Sequence, residues 1–275
     1  MGRPDVVGHG GDGAAQVADV YASRVELDLP PELRPVLARR LLRRRRADLV
    51  AYWVAIVAGL TLSLVAVAWG GGESPGRGLT GGGMVAILLA TAVVGQLALA
   101  GAALAAQAGD VAARGRQDPR ASHLPRPHLG DYLAPAERWL ARGLAAVAVL
   151  AALGLAAARP GQRGELLAVA AACLATWALI ELTVRAVVRA RPAATDLQSL
   201  AFDDALRADA VRRLLGATAG LPFVVGLVSI QAGFGRAGTA LVVIYALGLF
   251  ALSLLGERPG ARSHYRRRLW PAARA

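Results

Sequence analysis

Residues 43–69 read RRRRADLVAYWVAIVAGLTLSLVAVAW: Arg43, Arg44, Arg45 and Arg46 lie directly before an apolar run from Leu49 to Trp69. As a helix rising about 1.5 Å per residue, a run of about 20 residues crosses the ~30 Å hydrocarbon core of a bilayer. Cations beside a span are retained on the cytoplasmic face, so these arginines orient the first span and the weave that follows. Tyr52 and Trp53 fall at the inner interface and Trp69 at the outer one, where amphipathic rings prefer to sit.

Upstream, residues 1–29 hold many Gly, Ala, Val and Asp residues with no sustained period. They read as a mobile cytoplasmic tail with a short helical piece around Ala14 to Val25. From Pro31, a good first helical residue, Leu33, Val36, Leu37 and Leu41 recur at helical spacing. Arg34, Arg39, Arg40 and the Arg43 to Arg46 run lie mostly on other faces. The expectation is an interfacial helix whose Leu face dips into the acyl boundary while its arginines reach anionic headgroups, with a partner-binding helix as the competing reading.

Downstream, apolar runs predict further spans at about 84–108, 143–158, 166–188, 214–231 and 237–256. Short turns with few arginines (Arg77, then Arg159 and Arg163, then Arg236) alternate with segments that carry clusters, including Arg114 to Arg142, Arg185 to Arg191 and Arg258 to Arg274. That alternation places the clusters in the cytoplasm. The expected fold is all-α: a polytopic bundle of about six transmembrane helices in three hairpins, residues 30–256, with both termini cytoplasmic and a basic tail over 257–275. Arg266, Arg267 and Arg268, with Tyr265 and Trp270, are expected at the headgroups. Ala98, Ala102 and Ala106, then Ala148, Ala152 and Ala156, repeat every fourth residue and offer smooth packing faces. Gly216 and Gly220 stand in GxxxG spacing, Pro222 is expected to bend the fifth span, and Pro192 to end the fourth.

Composition narrows the function. The chain has 275 residues, 55% hydrophobic, with a net charge of +12, and all 31 of its basic residues are Arg. Most Arg flanks a span and none is interleaved with stacking aromatics, so anionic lipid is the expected partner and nucleic acid is not. Cys173, the single cysteine, excludes an internal disulfide or a multi-cysteine metal site. His9, His123, His128 and His264 all fall outside the spans, and GxSxG, HExxH and GxxxxGK[ST] are absent. No intramembrane base, zinc pair or phosphate cradle is therefore encoded, and neither enzymatic activity nor a cofactor is expected.

Two polar groupings remain. Glu181 is the acid set well inside a span, a functional candidate by default, and Gln96 lies near the middle of the second span. Glu181 stands four residues before Arg185, the favourable order for an acid and base pair on one helical face. A structural pair is the stronger reading and a proton- or cation-coupling site the weaker. The second grouping is Asp203, Asp204, Arg207, Asp209 and Arg213 in the stretch ATDLQSLAFDDALRADAVRRLL. Arg207 stands where a prenyl-diphosphate DDxxD motif requires a third carboxylate. Pairs Asp203 with Arg207 and Asp209 with Arg213 instead predict a salt-laced cytoplasmic helix, a candidate interaction surface, with Thr195 as its N-cap and Gln198 completing a capping box.

The run RARPAATDLQSLAFDDALRADAVRRLLGA resembles stretches of uncharacterised multi-span membrane proteins of high-GC actinobacteria, which implies a bacterial plasma-membrane location. In span number, cytoplasmic termini and a leading amphipathic helix the chain also resembles permease subunits of ABC-type exporters. That likeness implies an ATPase partner touching Asp131 to Leu140 and Leu200 to Leu215. Two functions are thus expected: a non-enzymatic membrane component that assembles with a partner, or a transport subunit, ATPase-coupled or using Glu181. Self-association through the small-residue faces is open to either.

Overall fold

A computed structural model describes residues 12–70, 81–112, 127–190, 194, 196–231, 233–257 and 264–270. These form ten α-helices and one short 3-10 turn, with no strand among the described residues. The predicted external turn around Glu73 and Arg77, Pro192, and most of the segment carrying Arg114 to Arg126 fall outside them.

Helix α1 (Asp12–Arg24) lies where a short helical piece around Ala14 to Val25 is expected. Ala18, Tyr21, Ala22 and Val25 lie on one face of it and are buried, so the segment is docked rather than free. It ends in a Schellman arrangement: Glu26 takes φ +56°, its N–H meets Ser23 O at 3.2 Å and the Leu27 N–H meets Ala22 O at 3.0 Å. A turn over 31–33 follows, and helix α2 (Arg34–Gly70) begins at Arg34 instead of Pro31. At 37 residues it extends about 55 Å, far longer than a bilayer's apolar core, so its arginine-rich first half continues outside any span. Leu37 and Ala38 there are buried and Leu33 and Leu41 pack on the same core. The predicted lipid-facing Leu stripe therefore faces protein.

Helix α3 (Gly81–Ala112) packs along α2. After the undescribed link come α4 (Leu129–Tyr132), α5 (Pro135–Ala158), a 3-10 turn (Pro160–Gln162), α6 (Arg163–Arg189), α7 (Leu197–Ala217), α8 (Gly220–Gln231), α9 (Gly235–Glu257) and α10 (His264–Leu269). The segment Asp131 to Leu140, named above as an ATPase contact, is divided between α4 and the start of α5, which runs unbroken into the third predicted span. Pro135 opens α5, and the Glu137 carboxylate accepts the Ala134 N–H at 3.2 Å.

Among the described residues, four stretches are long and apolar enough to cross a membrane: Pro135–Ala158, Pro160–Arg189, Leu197–Ile230 and Gly235–Leu255. The last four predicted spans lie on these, and the first two lie on α2 and α3. Within Leu197–Ile230 the charged side chains all precede Leu214, so only its C-terminal part suits hydrocarbon. The stretch is broken at Thr218 and Ala219, and Pro222 sits in the first turn of α8, where a missing N–H costs nothing.

The apolar helices pack through small residues. Ala145, Ala148, Ala152 and Ala156 of α5 bury against Leu166, Val169, Ala170 and Cys173 of α6 and Leu221, Val225 and Val228 of α8. The GxxxG pair is not the close contact: a Cβ added to Gly216 or Gly220 would meet nothing within 4 Å. Gly226 and Gly238 fill that role, since a Cβ on either would lie 2.9 Å or 2.6 Å from the other's carbonyl oxygen. Gly233, at φ +81°, makes the turn between α8 and α9. Beside it the Arg159 guanidinium lies 4.6 Å from the centre of the Phe234 ring.

A second core sits at the other end of the molecule. It gathers α1, the first half of α2, α4, the start of α5, the end of α6, α7 and α10 around Phe202, Leu206, Val211, Tyr132 and Tyr265. The first and last described helices thus join one layer, and α7 is its centre.

Candidate functional site

The charged layer is organised by a buried ion network. Arg40 of α2 reaches Asp110 of α3 at 3.0 Å and Asp203 of α7 at 2.5 Å. Arg207 closes the other side of Asp203 at 2.9 Å, one helical turn away. Asp110 also receives Arg43 and Arg44, each at 3.3 Å, and Arg44 donates to Leu206 O at 2.7 Å. Arg40, Asp110, Asp203 and Arg207 are all buried. A charge so placed is tolerable only with a partner, and here each has one. Burial opposes ionisation of Asp203, but the Arg207 and Arg40 guanidiniums outweigh it and hold the carboxyl below the usual carboxylate range.

Around this centre α7 gathers the remaining elements. Asp204 accepts Tyr132 Oη of α4 at 3.0 Å and Trp270 Nε1 at 3.2 Å. Asp209 accepts Tyr21 Oη of α1 at 2.8 Å. Arg212 binds Glu137 of α5 at 3.0 Å, and Arg213 binds Asp48 of α2. Arg266 of α10 donates to the Glu26 carbonyl at 2.6 Å, joining α10 to the turn after α1, and His264 meets Gly130 O at 3.1 Å. Burial, together with the Asp209 charge for Tyr21 and the Asp204 charge for Tyr132 and Tyr265, raises all three phenols above their ordinary value.

These contacts revise several expectations. The salt-laced helix forms with its Asp203–Arg207 pair, but Asp209 and Arg213 turn to Tyr21 and Asp48 instead of each other. Asp203, Asp204 and Arg207 face inward, so they hold this chain together and offer no outward interaction surface. The N-cap is Asp196, whose carboxylate accepts the Ser199 N–H at 2.7 Å, one position beyond the predicted Thr195 and Gln198 box; Thr195 lies outside the described residues. The arginine run divides as a helical turn must: Arg43 and Arg44 turn to Asp110, and Arg45 and Arg46 stay exposed. Arg266 turns to Glu26, while Arg267 and Arg268 are exposed.

The intramembrane candidates separate. Glu181 is gripped through both oxygens by Arg142 of α5, at 2.7 and 2.9 Å, while Arg185 is exposed and takes no part. An i,i+4 spacing fixed which acid and base share a helix face, but a bidentate fork from the neighbouring helix competes better. Gln96 donates to Ala217 O at 3.4 Å, a weak bond to the helix break before α8, and not to Glu181. Sequence reasoning missed Arg40, Asp110, Arg142 and Tyr132. Asp110 had a readable signal, an acid at the end of an apolar run opposite an arginine cluster.

Among the described residues, cavities adjoin the layer, two of which stand out. The larger, about 370 Å³, opens between α1, α5, α7 and α9 and is lined by Arg24, Glu137, Asp209, Arg212, Arg213 and Leu249, among others. The smaller, about 30 Å³, lies between α2, α3 and α7.

Apolar helices over a charged, ion-paired layer define the chain as an α-helical membrane protein. Comparison with protein-family models, with curated proteins and with solved structures finds no match to it.

Proposed function

We propose that the protein is a non-enzymatic component of a bacterial plasma membrane, with six spans and both ends in the cytoplasm, that assembles with a partner inside the bilayer. The observation that carries this reading is where its ionisable groups are used. Glu181 is neutralised by Arg142, and the acids of α7 are consumed by Arg40, Arg207, Arg212, Tyr21 and Tyr132. Polar chemistry is spent on holding the cytoplasmic layer together. Cytoplasmic placement follows from the arginine bias, since Arg39 to Arg46, Arg138, Arg142, Arg185, Arg189, Arg212, Arg213 and Arg266 to Arg268 all belong to the layer's end of the molecule. Arg45, Arg46, Arg267 and Arg268 are exposed and placed to meet anionic headgroups.

Partner assembly is supported by α9. Only 17% of its apolar window is buried within the chain, and Val243, Ile244, Leu247, Phe250 and Leu254 are exposed. In a membrane that face is covered by lipid or by another helix. The transport reading is weaker on two counts: the Arg142 fork occupies both Glu181 oxygens, and the α7 surface suited to an ATPase is internal.

A photoreactive phenylalanine analogue at position 250 tests the assembly. The expected result is a single crosslinked protein or a dimer of this chain, absent when the analogue replaces Gly161 at the other end of the bundle. A stoichiometric ATPase crosslinked from positions on the charged layer would favour the transport subunit instead.

A further inference from the structure

We propose that the cavity of about 370 Å³ beside α7 is a binding site for an anionic phospholipid of the leaflet that borders the charged layer. The inference rests on the membrane reading above and assigns a ligand to one place in it. The cavity has two kinds of wall. Arg24, Arg212 and Arg213 supply cations from α1 and α7, and Leu215, Leu249 and Leu252 supply apolar surface. Its height in the molecule explains the mixture. It lies at the start of α5 and in the last turns of α9, where the charged layer meets the apolar helices, so a headgroup and the first methylenes of an acyl chain would each find matching surface.

Charge balance favours an anion. The cavity's two acids are already bound: Glu137 accepts from Arg212 and from the Ala134 N–H, and Asp209 accepts from Tyr21. Arg24 makes no ion pair among the described residues and is exposed at the last turn of α1. Arg213 is more than half exposed and its pair with Asp48 is a surface pair, which a phosphate readily displaces. Two guanidiniums with donors to spare at the rim suit a phosphate's planar oxygen pairs better than any neutral headgroup.

The test uses the full chain in nanodiscs of phosphatidylcholine containing one part in ten of either phosphatidylglycerol or further phosphatidylcholine, followed by native mass spectrometry of retained lipid. The expected result is retention of phosphatidylglycerol over phosphatidylcholine. Arg24→Gln and Arg213→Gln should each reduce that retention about tenfold, the scale of one charged hydrogen bond. Ser253→Trp, which fills the cavity mouth without changing charge, should reduce it likewise, whereas Arg163→Gln at the opposite end should not. Equal retention of the two lipids, or retention unaffected by all three cavity variants, would overturn the site. Displacement of the lipid by millimolar inorganic phosphate would overturn the lipid assignment in favour of a free phosphate. Failure here leaves the crosslink from position 250 unaffected, so the two proposals fall separately.

Discussion

Arg142 of α5 holds Glu181 of α6 through both carboxylate oxygens, at 2.7 and 2.9 Å, and this fork joins two apolar helices that otherwise meet through alanines and aliphatic side chains. Removing one partner strands the other charge. The side chains are 30% and 14% exposed, so the loss is smaller than for a fully buried pair: Arg142→Met should cost about 2 kcal/mol. Adding Glu181→Leu should restore most of it. Thermal unfolding in detergent micelles reads both, and an unchanged midpoint for Arg142→Met would show that the fork does not contribute.

Arg40 should be the most sensitive arginine of the chain. Its substitution by Met leaves Asp110 and Asp203 facing each other's charge with less compensation in a buried site, a loss of about 3–5 kcal/mol. Arg45→Ala and Arg46→Ala, on the exposed side of the same helix, should change stability by less than about 0.5 kcal/mol. Parallel melting curves of the three variants check the division of the run.

Gly238→Ala should disrupt the α8–α9 contact, because the new methyl would lie 2.6 Å from the Gly226 carbonyl oxygen; overpacking of this kind costs about 1–3 kcal/mol. Gly216→Ala, with open space at its Cβ, should be neutral or stabilising by up to about 1 kcal/mol. The two melting midpoints, measured side by side, must move in this order.

The charged layer should open at both ends of the pH scale. Asp203 has a depressed folded pKa, so its stabilisation is present above the unfolded carboxylate value of about 3.9 and is lost as pH falls below it. Tyr21, Tyr132 and Tyr265 have raised folded values, so their contribution is intact below about pH 10 and is lost as pH rises beyond it. Phenolate absorbance followed together with helical circular dichroism should show these tyrosines ionising only as the layer unfolds. Smooth ionisation with unchanged helix content would contradict their burial.

What the sequence made legible was what depends on local pattern. Length and hydropathy placed a span on each of the four apolar stretches but missed where two of them begin, at Pro135 and Leu197, and the i,i+4 rule found Asp203 with Arg207. Partners chosen between helices were not legible. Arg142 displaced Arg185 because interhelical geometry, invisible in spacing, presents a better fork. Tyr21 looked like part of a free tail because its segment is short and glycine-led, and only the Asp209 carboxylate and the α7 core explain its burial. The GxxxG motif failed similarly: spacing marks a smooth face without saying whether a helix lies against it.

The central claim is that one charged layer, holding α1 and α10, lies on the cytoplasmic side of a membrane crossed by the apolar helices. Single cysteines at Ser23 and Gly161, in a Cys173→Ala background, should be probed with a membrane-impermeant maleimide in sealed cells and after lysis. The account predicts that Gly161→Cys is labelled in sealed cells and Ser23→Cys only after lysis. Labelling of Ser23→Cys from outside, or of both positions from the same side, would contradict it.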